Sequence, residues 1–330
     1  MSCLDKFHIL EINNLSVSFR QYTSRTKQEY LPVISNLNVS VHEGEIVAVV
    51  GASGSGKSLL AHAILGLLPS NARWSGELWF LEEKLDERRM KQARGRDIAL
   101  VPQSVSYLDP LMKVGRQVRG GDPSKEAVTC QKELFQKYGL SPDTEERYPF
   151  ECSGGMSRRI LLSTALMEQP RLLIADEPTP GMELAMAKTA MEDFRRFADE
   201  GNGVLLITHD IELALEVADR IAVFYAGTTV EEALVGDFAS EELLRHPYTK
   251  ALWRALPQNG FQVIPGTQPY VKELPKGCVF GPRCPQFSKE CEGEIPERIV
   301  RCGTVRCIKC REDSQPHHHR PKEAVSHVGS

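Results

Sequence analysis

The chain contains no long hydrophobic run. No apolar stretch among its 330 residues approaches the roughly 18–20 residues that a membrane-spanning helix requires. The N-terminal residues Met-Ser-Cys-Leu-Asp-Lys-Phe-His also lack the basic start and the apolar core of a secretory signal peptide. These absences predict a cytosolic protein whose connection to a membrane, if it has one, is made through a partner.

The chain also has no excess of positive charge. Its formal net charge is −4, whereas nucleic-acid-binding proteins normally carry a basic face or a basic excess. We therefore expect no nucleic-acid partner. A hydrophobic content of 41% with 25% charged residues is ordinary for a globular protein. The length exceeds that of a usual single domain and predicts one large domain with an appendage.

Cysteine, in contrast, is plentiful and unevenly placed. Three of the nine cysteines are scattered, and the other six are close together near the C-terminus. Because a reducing cytosol disfavours structural disulfides, this late cluster indicates a metal site. The six are Cys278, Cys284, Cys291, Cys302, Cys307 and Cys310.

A glycine-rich segment, Gly51-Ala-Ser-Gly-Ser-Gly-Lys57-Ser58, matches the phosphate-loop pattern G-x-x-x-x-G-K-[S/T]. Its glycines let successive backbone N–H groups turn toward a phosphate chain. Lys57 is placed to reach the β- and γ-phosphates, and Ser58 to ligate Mg²⁺. A buried-type strand, residues 45–50, precedes the segment, and an apolar helix, residues 59–68, follows it. The sequence therefore predicts that the chain binds a nucleoside triphosphate.

Apolar strand-like segments alternate with helical ones along most of the chain. This alternation predicts an α/β fold with a mostly parallel core sheet. Two earlier segments, 9–19 and 33–41, alternate between apolar and polar residues and predict an antiparallel β layer. The other predicted strands cover residues 75–80, 98–101, 171–176, 204–209 and 221–225.

Polar residues stand at the C-terminal ends of the predicted parallel strands, where ligands of such sheets collect. Asp176 follows four apolar residues and is predicted to hold Mg²⁺. Glu177 is predicted to be the general base that activates water, and Gln103 to contact the metal or that water. His209 is predicted to hold the γ-phosphate or the water; the alternative is a strand-end histidine bonded to a loop carbonyl.

Ser153-Gly154-Gly155 is predicted to begin a helix, and a helix N-terminus attracts anions. As an isolated tripeptide it is typical of an ordinary N-cap. Together with the phosphate loop before it and Asp176 after it, it forms a recognisable order of motifs.

These motifs resemble those of an ATP-binding subunit of an ABC transporter, over about residues 9–256. Cys152–Met156 is similar to the signature motif of that family, Gln103 to its Q-loop glutamine and His209 to its switch histidine. Phe19 stands where the family stacks an aromatic ring on adenine, although it also suits an ordinary core position. The resemblance implies ATP and Mg²⁺ as cofactors, with Ser58, Gln103 and Asp176 at the metal. It assigns nucleotide contacts to Phe19, Gly51, Ser53, Gly54, Ser55, Gly56, Lys57, Ser58, Leu59, Asp176, Ser153, Gly154 and Gly155.

Three further segments resemble one branch of that family, the bacterial importers of peptides and nickel. They are residues 103–112, the His246-Pro-Tyr-Thr249 segment with residues 251–257, and the cysteine cluster. Members of the branch can hold a four-iron–four-sulfur cluster in such a C-terminal extension. The resemblance makes Cys278, Cys284, Cys291 and Cys307 the ligands, with Cys302 and Cys310 to spare. A zinc site and free thiols are the alternatives.

The resemblance also implies an assembly. Two cassettes pair, expected here as a hetero-dimer, and each ATP lies between the phosphate loop of one and the signature of the other. Two membrane permease subunits and an extracytoplasmic substrate-binding protein complete it, at the cytoplasmic face of the membrane. We expect a cassette over residues 1–256 with a helical subdomain over about 104–163, an extension over 257–310 and a disordered tail over 311–330.

Two departures from the family pattern keep other interpretations open. Cys152 replaces the usual leucine of the signature, and Pro180-Gly-Met-Glu183 replaces the usual S/T-A-L-D after Asp176 and Glu177. The second departure is compatible with a cassette that binds ATP but hydrolyses it weakly beside a dominant partner. A non-transport ABC ATPase is the third interpretation. The substrate is not encoded in this chain, because selectivity lies in the permease and the binding protein.

Overall fold

The computed structural model describes residues 7–22, 27–52, 54–300, 303–310 and 315–316. Its strands, in chain order, are β1 (His8–Tyr22), β2 (Gln28–His42), β3 (Ile46–Gly51), β4 (Ala72–Phe80), β5 (Glu83–Lys84), β6 (Ile98–Val101), β7 (Leu172–Asp176), β8 (Gly203–Thr208), β9 (Arg220–Tyr225), β10 (Thr228–Leu234), β11 (Arg298–Val300), β12 (Gly303–Val305) and β13 (Gln315–Pro316). Its α-helices are α1 (Lys57–Ile64), α2 (Glu87–Ala93), α3 (Val114–Val118), α4 (Lys125–Lys137), α5 (Gly154–Met167), α6 (Leu184–Asp199), α7 (Ile211–Val217) and α8 (Pro247–Arg254).

The described strands form two sheets. The first is antiparallel, in the order β2-β1-β4-β5, and contains the predicted antiparallel layer. The second has the order β13-β11-β12-β10-β9-β3-β8-β7-β6. Within it, β6, β7, β8, β3 and β9 are parallel, as the alternation of strands and helices predicts.

The phosphate-loop strand β3 lies between β9 and β8 in the parallel part and is buried on both faces. Val47 and Val49 point into the core between the two sheets, where α1 also packs. Ala48 and Val50 point into a second core, shared with α6. A strand with two buried faces needs apolar residues at every position, which explains why this segment does not alternate.

The C-terminal residues extend the same sheet rather than forming a detached unit. β10 pairs with β9 and with β12, and β11 pairs with β12 and β13, all antiparallel. Residues 311–314 and 317–330, most of the segment predicted to be a disordered tail, lie outside the described residues.

Helices α3, α4 and α5 pack around a small apolar core of their own, which includes Phe135 and Ile160. Tyr138 joins this group to the second core, and its hydroxyl donates a hydrogen bond to Asp193 on α6 over 2.5 Å. None of the helices in the described part of the chain is long and apolar enough to cross a bilayer.

Candidate functional site: a nucleotide-binding cassette

The phosphate loop runs from the end of β3 into the first turn of α1. A Cβ atom added to Gly51 would lie 2.2 Å from the Phe224 carbonyl oxygen, so the loop can begin here only with glycine. Gly56 precedes α1 with a φ of 99°, a left-handed conformation that favours glycine. Ser53 lies outside the described residues, and Leu59 is half-buried against the core.

Lys57 is buried inside the loop. Its Nζ atom donates hydrogen bonds to the carbonyl oxygens of Gly51 and Ala52, over 2.8 and 3.0 Å. Burial lowers the pKa of its ammonium group, an effect opposed by the nearby carboxylates of Glu177 and Asp176. The loop thus holds a cation beside its N–H groups, the arrangement that a phosphate chain requires.

Asp176 ends β7 beside the first turn of α1. Its carboxylate is buried next to the Ser58 side chain, and its Oδ1 atom has no hydrogen-bond partner among the described residues. Burial raises the pKa of this carboxyl group. A buried carboxylate oxygen without a partner, next to a hydroxyl, is a donor set that fits Mg²⁺. Ser55, also in the loop, is buried with an unpartnered Oγ atom, and Gly54 has open space around it.

Glu177 and His209 form a direct pair. Asp176 lies beside Ile207 in the parallel register of β7 and β8, so the residues that follow these strands come together. The His209 Nδ1 atom is 2.8 Å from both carboxylate oxygens of Glu177. Glu177 is buried, whereas the His209 side chain is 56% exposed. The Glu177 carboxylate is therefore shielded by the protein, and His209 is the member of the pair that is exposed to solvent.

The backbone of Glu177 is itself constrained. Its φ of 47° is left-handed, which is uncommon for a residue other than glycine and concentrates at functional sites. Its N–H group donates to the Ile207 carbonyl over 2.8 Å. Its carbonyl oxygen accepts a hydrogen bond from Arg158 Nη1 over 3.1 Å. Sequence reasoning missed Arg158, because its partner is a backbone atom and the Ser-Arg-Arg sequence after the signature gives no sign of it.

The signature residues begin α5, as predicted. Ser153 is the N-cap, and its Oγ atom accepts a hydrogen bond from the Met156 N–H group over 3.3 Å. Gly154 is exposed, and a Cβ atom added to it would meet nothing within 4 Å. Arg159 fixes the helix by donating to the carbonyls of Tyr138 and Gly139. The signature is thus presented on an open face of this chain.

Two predicted site residues, Gln103 and Phe19, make no hydrogen bond with the carboxylates in the described part of the chain. Gln103 follows β6 and is exposed, and its side chain makes no hydrogen bond with another described residue. Phe19, in β1, is half-buried and packs against the core beneath the antiparallel sheet. Their predicted roles toward the metal and the adenine ring stay predictions.

The unusual segment Pro180–Glu183 forms a turn between Glu177 and α6. Gly181 has a φ of 77°, and a Cβ atom on Gly155 would lie 3.2 Å from the Gly181 carbonyl oxygen. The turn therefore packs against the signature helix of the same chain. Glu183 occupies the N-cap position of α6 and is exposed, without a capping hydrogen bond from its side chain.

Four cysteines of the extension are neighbours in the structure. Within the described residues, no group of three or more His, Cys, Asp or Glu side chains is arranged to hold a metal ion. Four thiols nevertheless line one small cavity together with the rings of Phe280 and Phe287. These are Cys278, Cys284, Cys291 and Cys307. Burial raises the pKa of Cys278 to about 11, and the other three thiols of the cavity add to the effect. Cys302 lies outside the described residues.

Three features lie at the ends of neighbouring parallel strands: a phosphate loop, a buried carboxylate that can hold a cation, and an adjacent glutamate–histidine pair. Together they define an ATP-hydrolysing cassette. The family model described as "ABC transporter" matches residues 34–180, and the model described as "Oligopeptide/dipeptide transporter, C-terminal region" matches residues 230–291. The chain is 33% identical to the oligopeptide transport ATP-binding protein AppD of Bacillus subtilis, over 92% of this chain and 98% of that protein. It is 34% identical to the dipeptide transport ATP-binding protein DppD of Haemophilus influenzae, over 90% of this chain and 95% of that protein.

A solved structure gives the same result for the cassette. The dimeric ATP-binding cassette MJ0796, in a post-hydrolysis state with ADP and phosphate, is 25% identical with a TM-score of 0.60. The match covers 68% of this chain and 98% of that one. The chain belongs to the ABC transporter ATP-binding proteins of the oligopeptide/dipeptide type, and it is an ATPase. The predicted family and cassette fold are thereby confirmed.

Proposed function

We propose that this chain powers the import of peptides by closing on ATP with a second cassette and opening after hydrolysis. The observation that carries the proposal is the Glu177–His209 pair, which lies at the strand ends beside Lys57 and Asp176. The relatives named for oligopeptide and dipeptide transport match over nearly their whole length and support the substrate class.

We assign the residues as follows. Backbone N–H groups of the loop and Lys57 hold the phosphates, and Ser58 and Asp176 would hold Mg²⁺, which neutralises charge on the phosphate oxygens. The Glu177 carboxylate accepts a proton from the attacking water, and His209 orients that carboxylate and the water. The open signature at Ser153 contacts the nucleotide of the partner cassette.

We infer the partners of this chain from the proposed mechanism and from the composition of its surface. The segment near Gln103 exposes large apolar side chains, including Tyr107 at 51% and Leu111 at 87%, and Phe150 is 74% exposed. Exposed apolar groups on one small region are typical of an interaction surface. We assign this surface to two permease subunits at the cytoplasmic face of the membrane. A second ATPase subunit, a different chain in our proposal, and an extracytoplasmic binding protein complete the importer.

We also propose the division into a cassette over 1–256, an extension over 257–310 and a tail over 311–330.

The test is transport by the assembled complex in proteoliposomes. We expect ATP-dependent accumulation of a labelled oligopeptide, and its loss when Lys57→Ala is introduced in this chain alone. Surface variant Arg88→Ala, on an exposed residue remote from the site, is the matched control. Accumulation of labelled nickel instead of peptide would correct the substrate class. Transport that persists with Lys57→Ala would show that the partner ATPase alone drives import.

We further propose that the four-thiol cavity holds a four-iron–four-sulfur cluster rather than zinc. The thiols converge on one cavity without the close grouping that a single ion needs, and a cluster spaces its ligands more widely than an ion does. An anaerobic preparation should be coloured and contain iron, and Cys284→Ser should reduce the iron content. A colourless preparation with one zinc per chain would overturn this assignment.

A further inference from the structure

The segment that follows β6 leaves the core sheet beside the cation site. Val101, the last residue of β6, pairs with Ala175 of β7, and Asp176 is the last residue of β7. Gln103 comes two residues after Val101. The segment therefore starts next to the carboxylate that can hold a cation, and its further course bears on the site.

One turn of 3₁₀ helix, Val105–Tyr107, makes this segment compact. Ser104 is the N-cap of the turn. The turn closes with a hydrogen bond from the Leu108 N–H group to the Val105 carbonyl oxygen over 3.1 Å. Because the turn is closed, it fixes the relative directions of the two side chains at its end, Tyr107 and Leu108.

Tyr107 joins the turn to the helix of the phosphate loop. Its hydroxyl oxygen lies 2.9 Å from the Nε2 atom of His62, and the two groups form a hydrogen bond. His62 is on α1, four residues after Ser58, so the two side chains lie on the same face of that helix. The Tyr107 hydroxyl is therefore held one helical turn from the serine that we assign to Mg²⁺.

Leu108 joins the same turn to the helices that carry the signature. Its side chain is 5% exposed and belongs to the small apolar core of α3, α4 and α5. That core also contains Ile160 of α5, the helix whose N-cap is Ser153. Two adjacent residues thus connect the phosphate-loop helix with the signature helix, one through a hydrogen bond and the other through burial. A movement of either is passed to the other, because a planar peptide bond joins them.

We propose that the Tyr107 hydroxyl is a positioning group for ATP hydrolysis. By bonding to His62, it fixes the direction in which α5 presents Ser153 relative to the phosphate loop of the same chain. Loss of the bond leaves the loop intact but lets the helical group turn, so that the signature meets the nucleotide of the partner cassette in a poorer geometry. The proposal rests on the proposed function in one respect, namely that the signature completes a nucleotide site with a second cassette.

The test compares ATP turnover by the assembled transporter with nucleotide binding by the full-length chain alone. Tyr107→Phe removes the hydroxyl but keeps the ring. We expect kcat to fall about two- to tenfold, the equivalent of one lost hydrogen bond. The Kd of a fluorescent ATP analogue and the Tm of the chain should stay at their wild-type values, because the loop is untouched. Tyr270→Phe, on a tyrosine that is 79% exposed, is the matched control and should change none of these quantities.

Variants of His62 test whether the hydroxyl acts through this partner. His62→Ala should lower kcat about as much as Tyr107→Phe, and the double variant should be no slower than either single variant, because both changes remove the same bond. His62→Gln should recover part of the rate, since its amide group can also bond to the hydroxyl. A double variant whose fall in kcat equals the product of the two single falls would show that the residues act separately, and the proposal would be wrong.

Two other results would also contradict the proposal. Turnover of Tyr107→Phe equal to that of wild type would mean that the hydroxyl positions nothing. A weaker Kd that accounts for the whole loss of turnover would place Tyr107 in nucleotide binding instead. Gly154→Asp is the check on the underlying function, because a Cβ atom at this position meets nothing within 4 Å in this chain. Turnover that survives Gly154→Asp would contradict the composite site itself, independently of Tyr107.

Discussion

Glu177 is held by three contacts with residues from other parts of the chain. Its N–H group bonds to β8, its carbonyl to Arg158 of α5, and its carboxylate to the histidine that follows β8. Holding a glutamate at a φ of 47° costs free energy, on the order of 1 kcal/mol or more, which the surrounding contacts must offset. The result is a carboxylate with a fixed direction, as a general base requires.

Arg158 offers a test of that arrangement. Replacing it with alanine removes the hydrogen bond to the Glu177 carbonyl and frees the backbone of the base. We expect kcat of the assembled ATPase to fall about three- to tenfold with KM for ATP little changed, because phosphate contacts are untouched.

Arg158→Lys should recover part of that rate, because an ammonium group can also donate to the carbonyl. Arg88→Ala is the control for loss of charge. A rise in KM with unchanged kcat would place Arg158 in nucleotide binding instead.

Whether a site residue could be predicted from the sequence depends on whether its side chain acts on the ligand or on another part of the protein. Lys57, Asp176, Glu177 and His209 are recognisable because their side chains act on the ligand and recur at fixed spacing. Arg158 acts on a backbone atom of another segment. Any residue can supply a carbonyl or an N–H group, so no pattern of letters indicates such a contact.

At the scale of elements, the least predictable strand is β10. Its sequence, Thr-Thr-Val-Glu-Glu-Ala-Leu, contains two glutamates, which is typical of a solvent-exposed segment. The strand is nevertheless buried. The buried carboxylate of Glu231 is compensated by the Arg245 side chain and by the N–H groups of residues 245 and 246. Arg220 lies 3.5 Å from Glu232. The apolar parallel strands, in contrast, follow directly from their composition.

Glu232 makes stability depend on pH. Burial raises its pKa to about 7 from an ordinary value of 4.5. The folded chain then keeps a proton that the unfolded chain has lost. The stabilising contribution of this group is fully present below about pH 4.5 and is lost as the pH rises through about 7.

Glu232→Gln should remove that dependence. The free energy of unfolding of wild type minus that of the variant should fall by about 2 kcal/mol between about pH 5 and about pH 8. Urea unfolding at the two pH values measures it. Equal differences at both values would show that Glu232 is ionised throughout.

The pairing of β12 with β10 provides the second test at this scale. A Cβ atom added to Gly303 would lie 2.0 Å from the Glu232 carbonyl oxygen. Gly303→Ala should therefore separate β12 from β10 and lower the free energy of unfolding by about 1–3 kcal/mol.

Gly236→Ala, which meets nothing within 4 Å, is the matched control for adding a methyl group. Equal stability of the two variants would mean that the extension is not joined to the sheet in this way.

At the scale of the whole molecule, our proposal gives the chain one half of each of two composite sites. Its phosphate loop, Asp176 and Glu177 lie together, whereas Ser153 and Gly154 are turned to an open face on α5. The order of motifs in the sequence predicts this division. What it does not predict is that the C-terminal extension joins the same sheet.

In our proposal, this chain's own half-site hydrolyses ATP. The most direct measurement is ATP turnover by the assembled transporter with Glu177→Gln in this chain alone and the partner ATPase unchanged. We predict a fall of about 10²-fold or more at this site, with ATP still bound, because the amide cannot accept the proton of the attacking water. Turnover equal to wild type would contradict it and make the partner cassette the catalytic one.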